Sequence, residues 1–156
     1  MRKIKFGIYF MVVLALVLSV SPVMAAPPQS VHIEAYEEIG DPSFPGPFTA
    51  SGAAVASGLL CASGTVIDTS NVASGPPGGT FVILNVDKHF TCGDGSGTFD
   101  IHMVVYLDLI THYTTANWRI TGGTGAYASL HGRGTLEGVP VVAGFSINDY
   151  YDGKLH

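Results

Sequence analysis

Val82-Ile83-Leu84-Asn85-Val86-Asp87-Lys88-His89-Phe90-Thr91-Cys92-Gly93-Asp94-Gly95-Ser96-Gly97-Thr98-Phe99-Asp100-Ile101-His102-Met103-Val104-Val105-Tyr106-Leu107 reads as two β-strands folded about a glycine-rich turn. Asp94-Gly95 suits a type I′ hairpin, because both central residues of that turn must tolerate positive φ. Folding the chain there sets Phe90 opposite Phe99, Val86 opposite Met103, Leu84 opposite Val105 and Val82 opposite Leu107. With Ile101 these side chains form one apolar surface that only Lys88 interrupts. The other surface pairs His89 with Asp100, Asp87 with His102 and Asn85 with Val104. A slip of one residue would scramble both surfaces, so the pattern itself supports the register.

Outward from this hairpin, short runs rich in β-branched and aromatic residues recur between Gly, Pro, Asp and Ser clusters. Strands are expected near 32–38, 47–54, 60–68, 79–92, 97–109, 115–121, 130–137 and 143–152. No stretch beyond the N-terminus sustains helical periodicity. Even spacing and frequent turns point to an all-β, antiparallel barrel or sandwich in a single domain. A second hairpin follows if Cys61 lies opposite Cys92. That register sets Ile67 against Val86 and Ser63 against Phe90, with the turn at Pro76-Pro77 inside Gly75-Pro76-Pro77-Gly78-Gly79.

The N-terminus belongs to a different class of sequence. Arg2, Lys3 and Lys5 precede an apolar run from Ile8 to Val20, then Pro22 and the small residues around Ala25-Ala26. This is the layout of a cleaved secretory signal peptide over 1–26. A core of about 13 apolar residues falls short of the roughly 20 that span a bilayer. The expected organisation is therefore a signal at 1–26, an extended segment and first strand at 27–44, and the rest of the domain at 45–156. Export would place the mature chain outside the cell or in the periplasm, with no stable membrane insertion. An oxidising compartment favours a disulfide between Cys61 and Cys92, the only two cysteines. Of the 7 basic residues in the whole chain three belong to the signal, leaving four against 12 acidic ones, a net of −8. So acidic a domain lacks the basic footprint of a nucleic-acid binder.

Asp87, His89, Asp100 and His102 share the polar face of the central hairpin, since residues i and i+2 lie on one side of a strand. Directly opposed side chains there stand roughly 4.5–5.5 Å apart at Cβ. Imidazoles and carboxylates so placed can ligate a divalent metal or pass a proton. Alternation alone also puts polar residues on a solvated outer face, where the same four would form two His–Asp pairs.

Ile120-Thr121-Gly122-Gly123-Thr124-Gly125-Ala126-Tyr127-Ala128 has the glycine density of a dinucleotide-binding turn. Gly132, Gly134, Gly138 and Pro140 follow, however, where that motif requires a packed crossover helix. The stretch Trp118 to Ala128, with Gly132-Arg133-Gly134-Thr135, instead resembles exported bacterial proteins of the allene oxide cyclase-like and dirigent-like barrel group. Cys61-Ala62-Ser63-Gly64-Thr65 and Phe90 to Gly97 resemble the same group. The resemblance implies a single eight-stranded antiparallel β-barrel of allene oxide cyclase-like, calycin-like form; on physical grounds Tyr127 can plug one end of such a barrel. It does not by itself carry an activity.

Two functional classes follow. The first is a non-catalytic exported barrel that binds a small apolar molecule or serves a structural or interaction role, needing no cofactor. Its expected lining is Val82, Leu84, Val86, Lys88, Phe90, Phe99, Ile101, Met103, Val105 and Trp118. The second is a cofactor-free cyclase or isomerase acting on an apolar polyene or epoxide inside the barrel. Its polar groups would come from Lys88, Glu34, Tyr36, Trp118, Asp149 and Tyr150. Hydrolase chemistry lacks a nucleophile motif.

Overall fold

In the computed structural model, residues 27–39, 44–74 and 78–156 are described. The expected signal peptide and the Pro76-Pro77 turn lie outside them. Eight strands form: β1 (Gln29–Glu38), β2 (Gly46–Ser51), β3 (Ser63–Ser74), β4 (Phe81–Cys92), β5 (Thr98–Asp108), β6 (Thr114–Gly123), β7 (Gly132–Val142) and β8 (Ser146–Leu155). One helical turn, α1 (Ala53–Ala56), follows β2, and a 3-10 turn spans Gly125–Tyr127. Each strand pairs antiparallel with its neighbours in sequence, and β1 pairs with β8 from Gln29↔Leu155 to Glu38↔Ser146, so the barrel closes and has no free edge. Among the described residues no helix is long and apolar enough to cross a membrane.

The central hairpin has the register read from its alternation: Phe90↔Phe99, Val86↔Met103, Leu84↔Val105 and Val82↔Leu107 on one face, His89↔Asp100 and Asp87↔His102 on the other. Its turn differs from the type I′ expectation. Cys92 and Gly97 close a four-residue loop, in which Gly95 N–H donates to Cys92 O, and Gly95 rather than Asp94 carries the positive φ of 76°. Asp94 Oδ1 accepts from the Ser96 backbone N–H, so the aspartate shapes the loop through its side chain.

The β3–β4 register corrects the expectation from the cysteines. Val66, not Ser63, lies opposite Phe90, Ile67 lies opposite His89 rather than Val86, and Gly64 lies opposite Cys92. Cys61 sits ahead of β3 and reaches Cys92 from outside the ladder, at a Cα–Cα distance of 6.0 Å. The disulfide is present, but it staples a loop to a strand end instead of joining opposed strand residues. Because the displacement is odd, it turns Val66 and Asp68 inward. A bulge at Thr69 then shifts the pairing to Ser70↔Asp87 and Asn71↔Val86.

The interior divides into two halves. Phe48, Phe90, Phe99, Trp118 and Tyr151 fill the half toward the β4–β5 turn. Phe90 stacks on Phe99 at 4.6 Å, while Phe48 and Tyr151 meet Phe90 edge-on at 5.3 and 5.8 Å. The Trp118 indole lies over β7 and β8, where a Cβ on Gly134 or Gly153 would come within 2.7 or 2.4 Å of it. Its Nε1 donates to Thr135 O at 2.9 Å. Ala54 of α1, Leu60, Tyr127 and Leu130 join the same buried cluster, and Tyr127 packs edge-on to Phe99. This half of the barrel is a packed core.

Candidate functional site

Along β4 the inward side chains run Leu84, Val86, Lys88, Phe90. The aromatic core therefore ends at Phe90, and a charged layer at Lys88 separates it from the other half. That half holds a cavity of about 370 Å3. Val66, Leu84, Val86, Met103, Val105, Leu107, Leu136 and Ile147 give it apolar walls, and Glu37, Asp68, Lys88 and Asp149 line it as well. The size lies within the range of about 300–1,000 Å3 usual for small-molecule sites. Ile39, Phe44, His112 and Gly144 belong to its mouth. The loops there are unusually apolar for exposed chain, with Ile110 74% and Phe145 70% exposed.

The floor assembles from four strands. Lys88 lies directly opposite Asp68 across β3–β4. Glu37 continues the inward series Val31, Ile33, Ala35 on β1, and Asp149 alternates with Ile147 and Tyr151 on β8. The Lys88 Nζ is 2.8 Å from Asp68 Oδ1 and 3.6 Å from Asp149 Oδ2, and it donates to Glu37 Oε2. Tyr151 O–H donates to Asp149 Oδ2 at 3.4 Å.

One ammonium among three carboxylates divides the group electrostatically. Burial alone would lower the lysine, but Glu37, Asp149 and Asp68 outweigh it and hold Lys88 firmly protonated, above its ordinary range. A single cation cannot compensate all three acids. Burial pushes Glu37 up to about 7; Lys88 opposes the rise, while Asp149 and Asp68 add to it. Burial raises Asp149 too, again against Lys88, and raises the Tyr151 phenol, with Asp149 reinforcing it. The layer thus holds a fixed cation and a carboxyl that changes protonation near neutrality.

The expected lining separates along these two halves. Leu84, Val86, Lys88, Met103 and Val105 border the cavity, whereas Phe90, Phe99, Ile101 and Trp118 belong to the packed half. Val82 is half-buried and lies off the cavity wall. Of the polar candidates, Lys88 and Asp149 converge. Glu34, Tyr36 and Tyr150 have the opposite strand parity and face outward, and Trp118 is spent on a backbone hydrogen bond. Glu37, Asp68 and Tyr151 complete the group without having been expected. For Glu37 the signal was present in its alternation with Val31, Ile33 and Ala35; for Asp68 the bulge and the displaced register hid it.

The hairpin quartet resolves into two separate pairs. His89 Nδ1 meets Asp100 Oδ1 at 2.6 Å, and His102 Nδ1 meets Asp87 Oδ1 at 2.8 Å, on the partly exposed outer face. Among the described residues no group of three or more His, Cys, Asp or Glu side chains is arranged to hold a metal ion. A third outer pair, His32 with Asp152 at 2.8 Å, repeats the arrangement on β1 and β8, and this hydrogen bond raises the His32 pKa. Comparison of the chain with protein-family models, with curated proteins and with solved structures finds no match.

Proposed function

We propose that this protein is an exported barrel that binds a small, largely apolar molecule in its open half. The observation that carries the reading is the asymmetry of the interior: one half is packed with aromatic rings, the other is an apolar-walled cavity over a single charged floor. Apolar walls supply affinity by removing ligand surface from water, and the few polar groups at one end fix its orientation. Exposed Ile39 and Phe44 extend the apolar lining outward at the mouth. Export rests on the leader at 1–26 and agrees with the Cys61–Cys92 bridge, which an oxidising compartment maintains. Native mass spectrometry of the protein purified from its own source tests the reading. A co-purifying small molecule that is lost in Leu84→Trp, which fills the cavity from its wall, is the expected result. An empty protein that also fails to take up decanol would refute it.

A second reading is a cofactor-free isomerase. It is favoured by Glu37, a buried carboxyl that exchanges its proton near neutral pH beside a cavity wide enough for a substrate. Incubation with an unsaturated fatty epoxide, with product analysis by chromatography and mass spectrometry, separates the two. A cyclised isomer, absent with Glu37→Gln, supports catalysis; hydrolysis at the solvent rate alone leaves binding as the function.

A further inference from the structure

The floor of the cavity is short of hydrogen-bond donors, and this restricts what its occupant can be. When ionised, Glu37, Asp68 and Asp149 present six acceptor oxygens. Against them stand the ammonium of Lys88, with three N–H donors, one Tyr151 O–H, and the Asn71 amide, whose Nδ2 donates to Asp68 Oδ2 at 3.3 Å. The deficit is visible in the geometry. Glu37 Oε1 is buried with no hydrogen-bond partner, and Asp68 Oδ1 touches the ammonium without hydrogen-bond geometry. Buried acceptors left in this state cost free energy that a donor from a ligand would recover. Among the described residues Lys88 is the one lysine or arginine lining the cavity, and its contacts with Glu37, Asp68 and Asp149 already occupy it. An anionic head group would arrive as a fourth carboxylate beside one engaged cation.

Resting on the cavity-binding reading above, we propose that the occupant is an amphiphile with a hydrogen-bond-donating head, an amine before an alcohol, seated against Glu37 and Asp68 with its apolar tail between Leu84, Val105 and Leu136. A fatty carboxylate of the same length is discriminated against. An ammonium supplies the missing donors and the missing positive charge together, so it acts on both defects of the floor.

Binding is then linked to protonation. In the free protein a proton on Glu37 relieves the excess negative charge of the floor; an arriving ammonium removes the reason for holding it, and the proton leaves to solvent. Among the described residues the groups facing Glu37 are Lys88 from β4, Asp68 from β3, and Asp149 and Tyr151 from β8, with Glu38 and His112 as further titratable lining toward the mouth. Affinity for the amine therefore rises as pH rises through neutrality, until the amine itself loses its charge.

Isothermal titration calorimetry with decylamine, decanol and decanoate, in two buffers of different ionisation enthalpy, tests this. The amine should bind at least about tenfold more tightly than decanoate, with decanol between them. The buffer dependence of the heat should report proton release for the amine alone. Glu37→Gln should abolish that release and shrink the amine's lead. Asp68→Asn, which leaves Glu37 in place, should shrink the lead while retaining the release. Decanoate binding as tightly as the amine, or amine binding without proton release, overturns the head-group inference and leaves the cavity reading standing. Failure of all three ligands to bind, with wild-type folding confirmed by circular dichroism, overturns the cavity reading itself.

Discussion

Replacing Glu37 by glutamine should stabilise the barrel at neutral and alkaline pH, although it removes a charged partner of the buried lysine. The magnitude follows from where Glu37 holds its proton. Its carboxyl titrates at about 7 in the fold, against an ordinary value of 4.5. Between those two values the folded chain binds a proton that the unfolded chain has released, so stability falls as pH rises through that window. Above it both states are ionised, and the folded state carries a penalty of about 3 kcal/mol relative to acid pH. Glutamine has the shape of the neutral acid and cannot ionise. It still offers Lys88 an acceptor, and the lysine keeps Asp68 and Asp149. Denaturant unfolding of both proteins across the acid-to-alkaline range reads the difference, and exposed pairs such as His32–Asp152 cancel in the comparison. The two curves should meet in acid and separate by up to about 3 kcal/mol in favour of the variant above neutrality. A variant less stable than wild type by about 3–5 kcal/mol at alkaline pH would refute the reasoning, since that is the signature of a broken buried ion pair.

Three further outcomes are expected elsewhere in the molecule. Reducing the Cys61–Cys92 bridge, which spans 31 residues, should cost roughly 3.5–4 kcal/mol by chain entropy, seen as a lower denaturation midpoint with dithiothreitol. In Gly134→Ala the new Cβ would meet Asp152 O at 1.9 Å and the Trp118 ring at 2.7 Å; a loss above about 2 kcal/mol is expected, and an unchanged melting temperature would show that the indole is not wedged there. Asp100→Asn breaks an outer-face pair with His89, both partly exposed, and should cost less than about 1 kcal/mol by chemical denaturation, with no change in metal content.

The β4–β5 hairpin was legible because strict alternation, broken only by Lys88, leaves one register that keeps the apolar residues together. Lys88 was therefore recognisable as an inward charge before any partner was known. Its partners were harder to find, since they come from strands whose pairing depends on closure of the whole barrel. Glu37 could have been chosen over Glu34 and Tyr36 by its parity with Val31, Ile33 and Ala35. Asp68 could not, because a cysteine pair does not show whether it joins opposed strand residues or a loop to a strand end, and the bulge at Thr69 has no sequence mark of its own. Alternation distinguishes the inside of a barrel from its outside, but not a filled level from an empty one. Phe90 and Val86 thus looked alike, although one lies in an aromatic core and the other borders a cavity. Trp118 illustrates the same limit: its role is set by Gly134 and Gly153, which make room for its ring across two other strands.

Methyl-detected NMR during titration with decanol tests the central claim most directly, because the two halves of the barrel carry separate sets of methyl groups. Shifts at Leu84, Val86, Met103, Val105, Leu136 and Ile147, with Ile33, Ile101 and Leu155 unmoved, are the expected result. Shifts confined to exposed methyls such as Val141 and Ile110, or none at any cavity residue, would contradict a binding site in the open half.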